Sequence, residues 1–164
     1  MPLSYITIDD SPAGALILAG DRDGLHVLSF ASGMRPSTVD PSWQPDGEGL
    51  LDGVRRELDQ YFSGKLRVFR SRLAIGGTPF QHQVWTELCR IPYGDTISYM
   101  ELAKRIDNPK AVRAVGLANG ANPIAIIVPC HRVIGANGSL TGYGGGLPIK
   151  KALLALERGE RTLL

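Results

Sequence analysis

Polar and apolar residues alternate in Ser4-Tyr-Ile-Thr-Ile8, and two further strand-like runs follow, Ala15-Leu-Ile-Leu-Ala19 and Leu25-His-Val-Leu-Ser-Phe30. The turn residues Gly20-Asp-Arg-Asp-Gly24 separate the last two, so three strands are predicted here. Ser32 to Gly49, broken by Pro36, Pro41 and Pro45, reads as a loop. From Leu50 the period changes: Leu51, Val54, Leu58, Tyr61 and Phe62 share one helical face, and Gly64 ends the helix. A further strand is predicted near Val68–Ile75, and Gly76-Gly77 makes a natural boundary. Residues 1–76 thus predict an α/β unit, a small antiparallel sheet with one helix.

Residues 77–164 read as mainly helical. Thr78-Pro79 supplies an N-cap and an N1 proline for a helix through Val84, Trp85 and Leu88. Ser98-Tyr-Met-Glu101 has capping-box spacing and opens a short helix with Leu102, Ala103 and Ile106 inward. Asn108-Pro109 is expected to cap a third helix, Lys110 to Asn119. Three short helices, the last two joined by a tight turn, fit a winged-helix-like domain with a helix-turn-helix. The third helix carries Ala111, Ala114, Gly116, Ala118 and Gly120, a composition that suits either close helix packing or close approach of a ligand. Lys110 and Arg113 stand near its start.

Composition narrows the class. With 164 residues, 43% hydrophobic and 21% charged, the chain suits one compact domain or two small ones. Its longest apolar run, Pro123 to Pro129, falls far short of the ~20 residues that span a bilayer. No basic segment followed by an apolar one opens the chain, so the expectation is a cytoplasmic protein. The net charge of +2 hides an asymmetry. Residues 1–73 carry 8 Lys+Arg against 10 Asp+Glu, and residues 74–164 carry 10 against 6. A basic second half suits a polyanion or a plain solvated surface. Cys89, Cys130 and the three histidines offer no metal-binding spacing, so no zinc is expected.

Pro123 to Val128 is apolar and β-branched, which predicts a buried strand running into Pro129-Cys130-His131. A free thiol titrates near pH 8.5, so a nucleophilic Cys130 needs a base or a positive charge beside it. Neighbouring residues of an extended segment point to opposite sides, so His131 would act through a turn or a bridging water. Cys89, between Leu88 and Ile91, reads as an inert buried residue. A cysteine hydrolase would share the Cys/His pair but turn over, and a simple winged-helix DNA binder would not need Cys130.

Ile126-Ile-Val-Pro-Cys-His-Arg-Val-Ile134 resembles the active-site signature of the O6-alkylguanine-DNA alkyltransferases, the methylated-DNA–protein-cysteine methyltransferases. The resemblance extends over the second half: Phe80-Gln-His-Gln-Val-Trp85, Ile91-Pro-Tyr-Gly94, Ser98-Tyr99, Arg113-Ala-Val-Gly116, Asn122-Pro123, Gly142-Tyr-Gly-Gly-Gly146 and Leu153-Leu-Ala-Leu-Glu157. It implies DNA repair by irreversible transfer of an alkyl group from O6-alkylguanine to Cys130, with O4-alkylthymine as a further candidate. By position, His131 would be the base acting through water, Glu157 would orient it and raise its pKa, and Asn122 would hold the local turns. Tyr99 would donate a proton toward the departing guanine. Val133, Tyr143 and Gly144 would line the base pocket, Val133 through its carbonyl and Gly144 through its amide. Arg113 would fill the space left by the flipped nucleotide, with Lys110, Ala111, Ala114 and Gly116 at the minor groove of double-stranded DNA. No cofactor is implied, nor a membrane. The expected form is a monomer, with cooperative binding along DNA left open. Some relatives hold zinc through N-terminal Cys and His, but this N-terminal half has no Cys, and some carry Ser where this chain has Gly144. Without the resemblance, Glu157 reads as a solvated charge ending the last helix, Lys150 to Glu157.

Overall fold

The computed structural model describes residues 2–33, 36–140 and 143–160. Its first three strands, β1 (Ser4–Ser11), β2 (Gly14–Asp21) and β3 (Gly24–Phe30), form an antiparallel meander. Leu16 to Ala19 of the central strand are all buried, which accounts for a continuous apolar run where a half-exposed strand would alternate. The sheet is mixed rather than wholly antiparallel. A two-residue strand, β4 (Gln44–Pro45), emerges from the predicted loop and pairs parallel to β1, giving the order β3-β2-β1-β4. Pro45 cannot donate to a ladder and accordingly sits on the edge.

Helix α1 (Asp52–Phe62) packs Val54, Leu58 and Tyr61 inward. Gly64, at φ +76°, takes the left-handed conformation that closes it. The strand predicted at residues 68–75 does not form. Val68 is 66% exposed, and a single bridge joins Leu73 to Leu25. The Glu57 carboxylate instead accepts from the Arg70 and Ser71 amides at 2.7 and 3.0 Å, so a side chain takes the place of a neighbouring strand.

Helix α2 (Pro79–Leu88) opens on the predicted cap: Thr78 Oγ1 accepts from the Gln81 amide, and the Gln81 side chain accepts from the Thr78 amide. Trp85 Nε1 donates to the Ala118 carbonyl at 2.9 Å, tying α2 to the helix α4 (Val112–Gly120). Between them lies α3 (Tyr99–Arg105), capped by Ser98 Oγ, which accepts from the Glu101 amide. The start expected for α4 is two residues early. Asn108 is not its cap: Asp107, at φ +57°, and the Asn108 amide close the end of α3, so Lys110 and Ala111 precede the helix.

Residues 123–128 are buried, as their composition predicts, but they are not a strand. Ile124 makes one bridge to Leu28, and Ile126 then turns at φ +71°. Cys130–Arg132 form a single 3₁₀ turn. A short strand, β6 (Val133–Ile134), follows it and pairs parallel with β5 (Ile97–Ser98). Helix α5 (Leu147–Glu157) closes the described chain, starting three residues earlier than predicted. Buried apolar residues from both halves, among them Leu28, Tyr61, Trp85, Val128 and Leu153, form one contiguous core. Among the described residues no helix is long and apolar enough to cross a membrane.

Candidate active site

Asn122 builds the segment that presents Cys130. Its Nδ2 donates to the Val128 carbonyl at 2.7 Å, and its Oδ1 accepts from the Ile124 amide at 3.0 Å. Both ends of one amide thus close the turn over residues 123–128. The 3₁₀ turn then replaces the expected extended strand end. Successive residues of such a turn diverge by about 120°, so Cys130 and His131 point apart and no hydrogen bond joins them directly.

Cys130 is 7% exposed and lines a cavity of about 640 Å³ with Phe30, Gly116, Asn119, Asn122, Tyr143 and Gly144. Burial pushes its thiol up, opposed by the Asn122 side chain and the Lys150 charge. A thiol held protonated in this way needs a base at the moment of attack.

His131 is fully buried on the other side of the turn. Its Nε2 lies 2.7 Å from Glu157 Oε2. Arg132 donates to both oxygens of Glu157, Nε to Oε1 at 2.7 Å and an Nη to Oε2 at 3.0 Å, and its other Nη donates to the Ile91 carbonyl. Tyr61 Oη, from α1, donates to Glu157 Oε2 at 2.6 Å. Burial alone would raise the Glu157 pKa, but the His131 and Arg132 donors overcome it and hold the carboxyl at about 2. Glu157 is therefore a buried anion, not a solvated charge at a helix end. An ionised Glu157 can only accept, so Nε2 carries the imidazole hydrogen and Nδ1 keeps a lone pair. That Nδ1 has no hydrogen-bond partner among the described residues. The net direction for His131 corrects the expectation: burial, together with the Arg132 and Lys150 charges, outweighs Glu157 and holds the imidazole below its ordinary value. It is neutral at physiological pH.

Lys150 is also fully buried and donates from Nζ to the Val133 carbonyl at 2.7 Å. The Val133 carbonyl expected at the pocket thus already accepts one hydrogen. Gly144 has no atom within 4 Å of the place a Cβ would occupy, so a side chain there would be accommodated. Tyr143 packs edge-on to Phe30, and burial keeps its hydroxyl protonated beside Cys130. Gly142 of the same loop lies outside the described residues.

Tyr99 is half-buried at the start of α3, and its ring comes within 4.0 Å of the Cβ position of Gly116. Arg113 and Ala114 are exposed on α4, as is Lys110 just before it, while Ala111 and Gly116 are half-buried. Leu117, on the same helix, is 72% exposed. The structure therefore gathers Cys130, Asn122, Tyr143 and Gly144 at one cavity, with His131 and Glu157 behind it. Arg113 stands apart on an outer face. Cys89 is exposed at the end of α2, not buried as expected. A shallower groove of about 430 Å³ between α2 and α3 includes Glu87, Arg90 and Arg105, and neither cysteine lines it.

Sequence reasoning missed Tyr61, Arg132, Lys150 and Asn119. Lys150 and Glu157, seven residues apart, flank Leu153 and Leu154 on the buried stripe of α5, so helical periodicity carried a signal for both. Tyr61 lies 96 residues from Glu157, and nothing local marks their meeting.

The buried thiol beside a cavity, the histidine oriented behind it and the α3–α4 helix pair belong to one chain with a small mixed sheet before them. The family models "6-O-methylguanine DNA methyltransferase, ribonuclease-like domain" and "6-O-methylguanine DNA methyltransferase, DNA binding domain" match residues 3–75 and 79–159. The methylated-DNA–protein-cysteine methyltransferase of Methanosarcina acetivorans is 54% identical over 153 residues, 93% of this chain and 97% of that one. The crystal structure of Mycobacterium tuberculosis O6-methylguanine methyltransferase is 51% identical with a TM-score of 0.86, covering 99% of this chain and 96% of that one. That of Mycobacterium tuberculosis OGT in complex with DNA is 52% identical with a TM-score of 0.87, covering 95% and 93%. The chain belongs to the methylated-DNA–protein-cysteine methyltransferase family.

Proposed function

We propose that the protein repairs DNA by moving the alkyl group of O6-alkylguanine onto Cys130, once per molecule. The observation that carries this reading is the pairing of a buried, protonated thiol at a cavity with a neutral imidazole whose Nε2 hydrogen is held by Glu157. The Cys130 proton passes through a water to His131 Nδ1, the sulfur attacks the alkyl carbon, and an S–C bond forms as the C–O6 bond breaks. Tyr99 supplies a proton toward the guanine as it leaves. Glu157 stays ionised and stabilises the imidazolium. The product is a thioether, which no group here can hydrolyse, so the reaction stops at one equivalent.

The alkyl group of a paired guanine is hidden in the stack, so the nucleotide must be extruded at a cost of a few kcal/mol. Helix α4 approaches the minor groove with its small residues Ala114 and Gly116. Arg113, with Lys110 and Ala111 beside it, fills the vacated space with a charged planar group. The cavity at Cys130 receives the base against Tyr143 and Gly144. Residues 77–164 bind DNA and transfer the alkyl group, and residues 1–76 support them. The protein acts as a cytoplasmic monomer without cofactor. Its two free thiols, Cys89 and Cys130, suit a reducing compartment.

Incubation with excess duplex containing O6-methylguanine tests the reading. Intact-mass measurement should show a gain of one CH2 per protein, mapped to Cys130 and absent in Cys130→Ser, while Cys89→Ser keeps it. Continued product release beyond one equivalent would exclude a suicide transferase.

A further inference from the structure

Within residues 1–73 the charges are sorted along the chain. Residues 1–54 carry two Lys+Arg against eight Asp+Glu, and residues 55–73 carry six against two. The six are Arg55 and Arg56 on α1 and Lys65, Arg67, Arg70 and Arg72 on the segment that follows it, and all are exposed. None makes an ion pair with a described residue, whereas Arg22, Arg90, Arg105 and Arg158 each hold a carboxylate within 3.5 Å. Among the described residues, the other exposed cations without such a carboxylate are Lys104, Lys110, Arg113 and Lys151. Most of the positive charge without a counter-charge thus lies outside the helix-turn-helix, in the half whose net charge is negative. The segment that carries it is fixed. The Glu57 carboxylate accepts from the Arg70 and Ser71 amides, and the Arg72 carbonyl accepts from the Leu25 amide at 2.9 Å. Phe69 packs on Tyr61, and the Arg67 guanidinium lies 5.2 Å over the Tyr93 ring. Like charges gathered on one short stretch repel one another, a loss of stability that a polyanion reverses.

We infer that residues 55–72 form a second DNA-contacting surface, which holds the phosphate backbone of duplex DNA and reads no sequence. The inference rests on the reading of duplex DNA as this chain's substrate, and it gives the N-terminal half a part beyond support. Five of the six cations are Arg, whose planar guanidinium takes two phosphate oxygens at once and is more weakly hydrated than an ammonium. A segment already fixed by Glu57 and Leu25 loses little freedom on binding. Contacts to phosphates position a protein on the duplex without specifying sequence, so this surface adds affinity at every site along DNA. The acidic residues 1–54 of a second copy fit it less well. Their Asp21, Asp40, Asp46 and Glu48 already accept hydrogen bonds within their own chain.

The test replaces Lys65, Arg70 and Arg72 together by Gln and leaves Arg67 on Tyr93. Affinity for an undamaged duplex of about 30 base pairs, longer than the protein is wide, is measured by fluorescence anisotropy across a range of salt. Each phosphate contact adds about 0.9 to the slope of log affinity against log salt, so the slope should fall by about two to three in this variant. Its loss of affinity should be greatest at low salt. Arg22→Gln, Arg90→Gln and Arg158→Gln together remove the same net charge elsewhere and should keep the wild-type slope. An unchanged slope in the first variant overturns the inference, and so does an equal fall in both, which reports net charge alone. A first variant that alters self-association in sedimentation but not the slope assigns the surface to a second copy and overturns the inference as well. Transfer from free O6-benzylguanine, which involves no duplex, should run at the wild-type rate in both variants. Absence of the benzyl group on wild-type Cys130 would instead overturn the alkyl-transfer reading, while the slopes still decide this one.

Discussion

The inner side of the Cys130 turn and the outer side of α4 are built in opposite ways. On the inner side, Tyr61, His131, Arg132 and Glu157 share one hydrogen-bonded cluster with no exposed charge. Glu157 alone accepts from three side chains, Tyr61, His131 and Arg132, before any substrate arrives. On the outer side, Arg113, Ala114 and Leu117 face solvent. Arg113 even sits in the first turn of α4, where a cation opposes the helix dipole. The inner cluster is organised by folding, whereas the outer face presents its side chains to solvent. Substitutions inside should therefore change chemistry and stability together, and substitutions outside should change only what a duplex needs.

The sharpest way to break that contrast is to remove His131, the base in the proposed mechanism. A positioned base contributes on the order of 10²–10⁴ in rate, so His131→Ala should slow transfer by about that factor and leave duplex affinity nearly unchanged. Single-turnover kinetics alongside a binding titration would check both. An equal loss of affinity would mean the inner cluster also shapes the DNA-binding face.

Removing the charge at the cluster's centre tests stability. Glu157→Gln leaves Arg132 buried without its partner, a loss of about 3–5 kcal/mol. The pH dependence follows from the directions of the two shifts. His131 titrates lower in the folded chain than in the unfolded one, so its contribution is present above about pH 6.5 and is lost as pH falls through the folded value. Glu157, held at about 2, contributes above the unfolded carboxyl range and is lost as pH falls toward that value. Wild-type stability should thus decline in two stages on acidification, measured by denaturant unfolding. Glu157→Gln should lack the lower stage. A variant curve parallel to wild type down to about pH 3, below the reference carboxyl value, would contradict the network.

Arg113→Ala addresses the outer face. If Arg113 only replaces the extruded nucleotide, repair of duplex DNA should slow by roughly tenfold or more, the scale of an extrusion cost of a few kcal/mol. Reaction with free O6-benzylguanine, which has no stack to leave, should barely change. Equal losses on both substrates would place Arg113 in the fold or the pocket.

What was legible in the sequence divides along similar lines. Local signals located the caps at Thr78 and Ser98, the meander, α1 and the Cys-His pair, because each depends on residues a few positions apart. The segments predicted as strands at residues 68–75 and 123–128 failed for one reason. β-branched, apolar composition reports burial or chain stiffness, while strand formation needs a partner edge, and here Glu57 and the Asn122 amide satisfy backbone groups instead. Glu157 could not be told from a surface charge by helix position alone, although its place on the stripe with Lys150, Leu153 and Leu154 points inward. Tyr61 was illegible as a partner of Glu157, since only the packing of α1 against the second half brings them together.

Tyr61 supplies the smallest expected effect and the finest test of the contrast, because it lies in α1, outside the half that holds Cys130, His131 and Glu157. Tyr61→Phe keeps the ring in place and removes a single hydrogen bond to Glu157 Oε2, which still accepts from His131 and Arg132. The stability cost should be about 1 kcal/mol. The effect on chemistry has a definite sign. With one donor fewer, the Glu157 carboxylate attracts the imidazolium more strongly, so the His131 pKa rises from its depressed value. The base is then protonated at higher pH, and the acid limb of the transfer rate moves upward. At the alkaline plateau the imidazole is a slightly stronger base, so the rate there should hold or increase. Loss of packing alone would lower the rate by one factor at every pH and leave the limb in place. Single-turnover rates with free O6-benzylguanine, which avoids any change in DNA binding, would separate these outcomes between about pH 5 and 8, around the ordinary histidine value. An unmoved limb would confine Tyr61 to structural support and leave His131 and Glu157 to act without the N-terminal half.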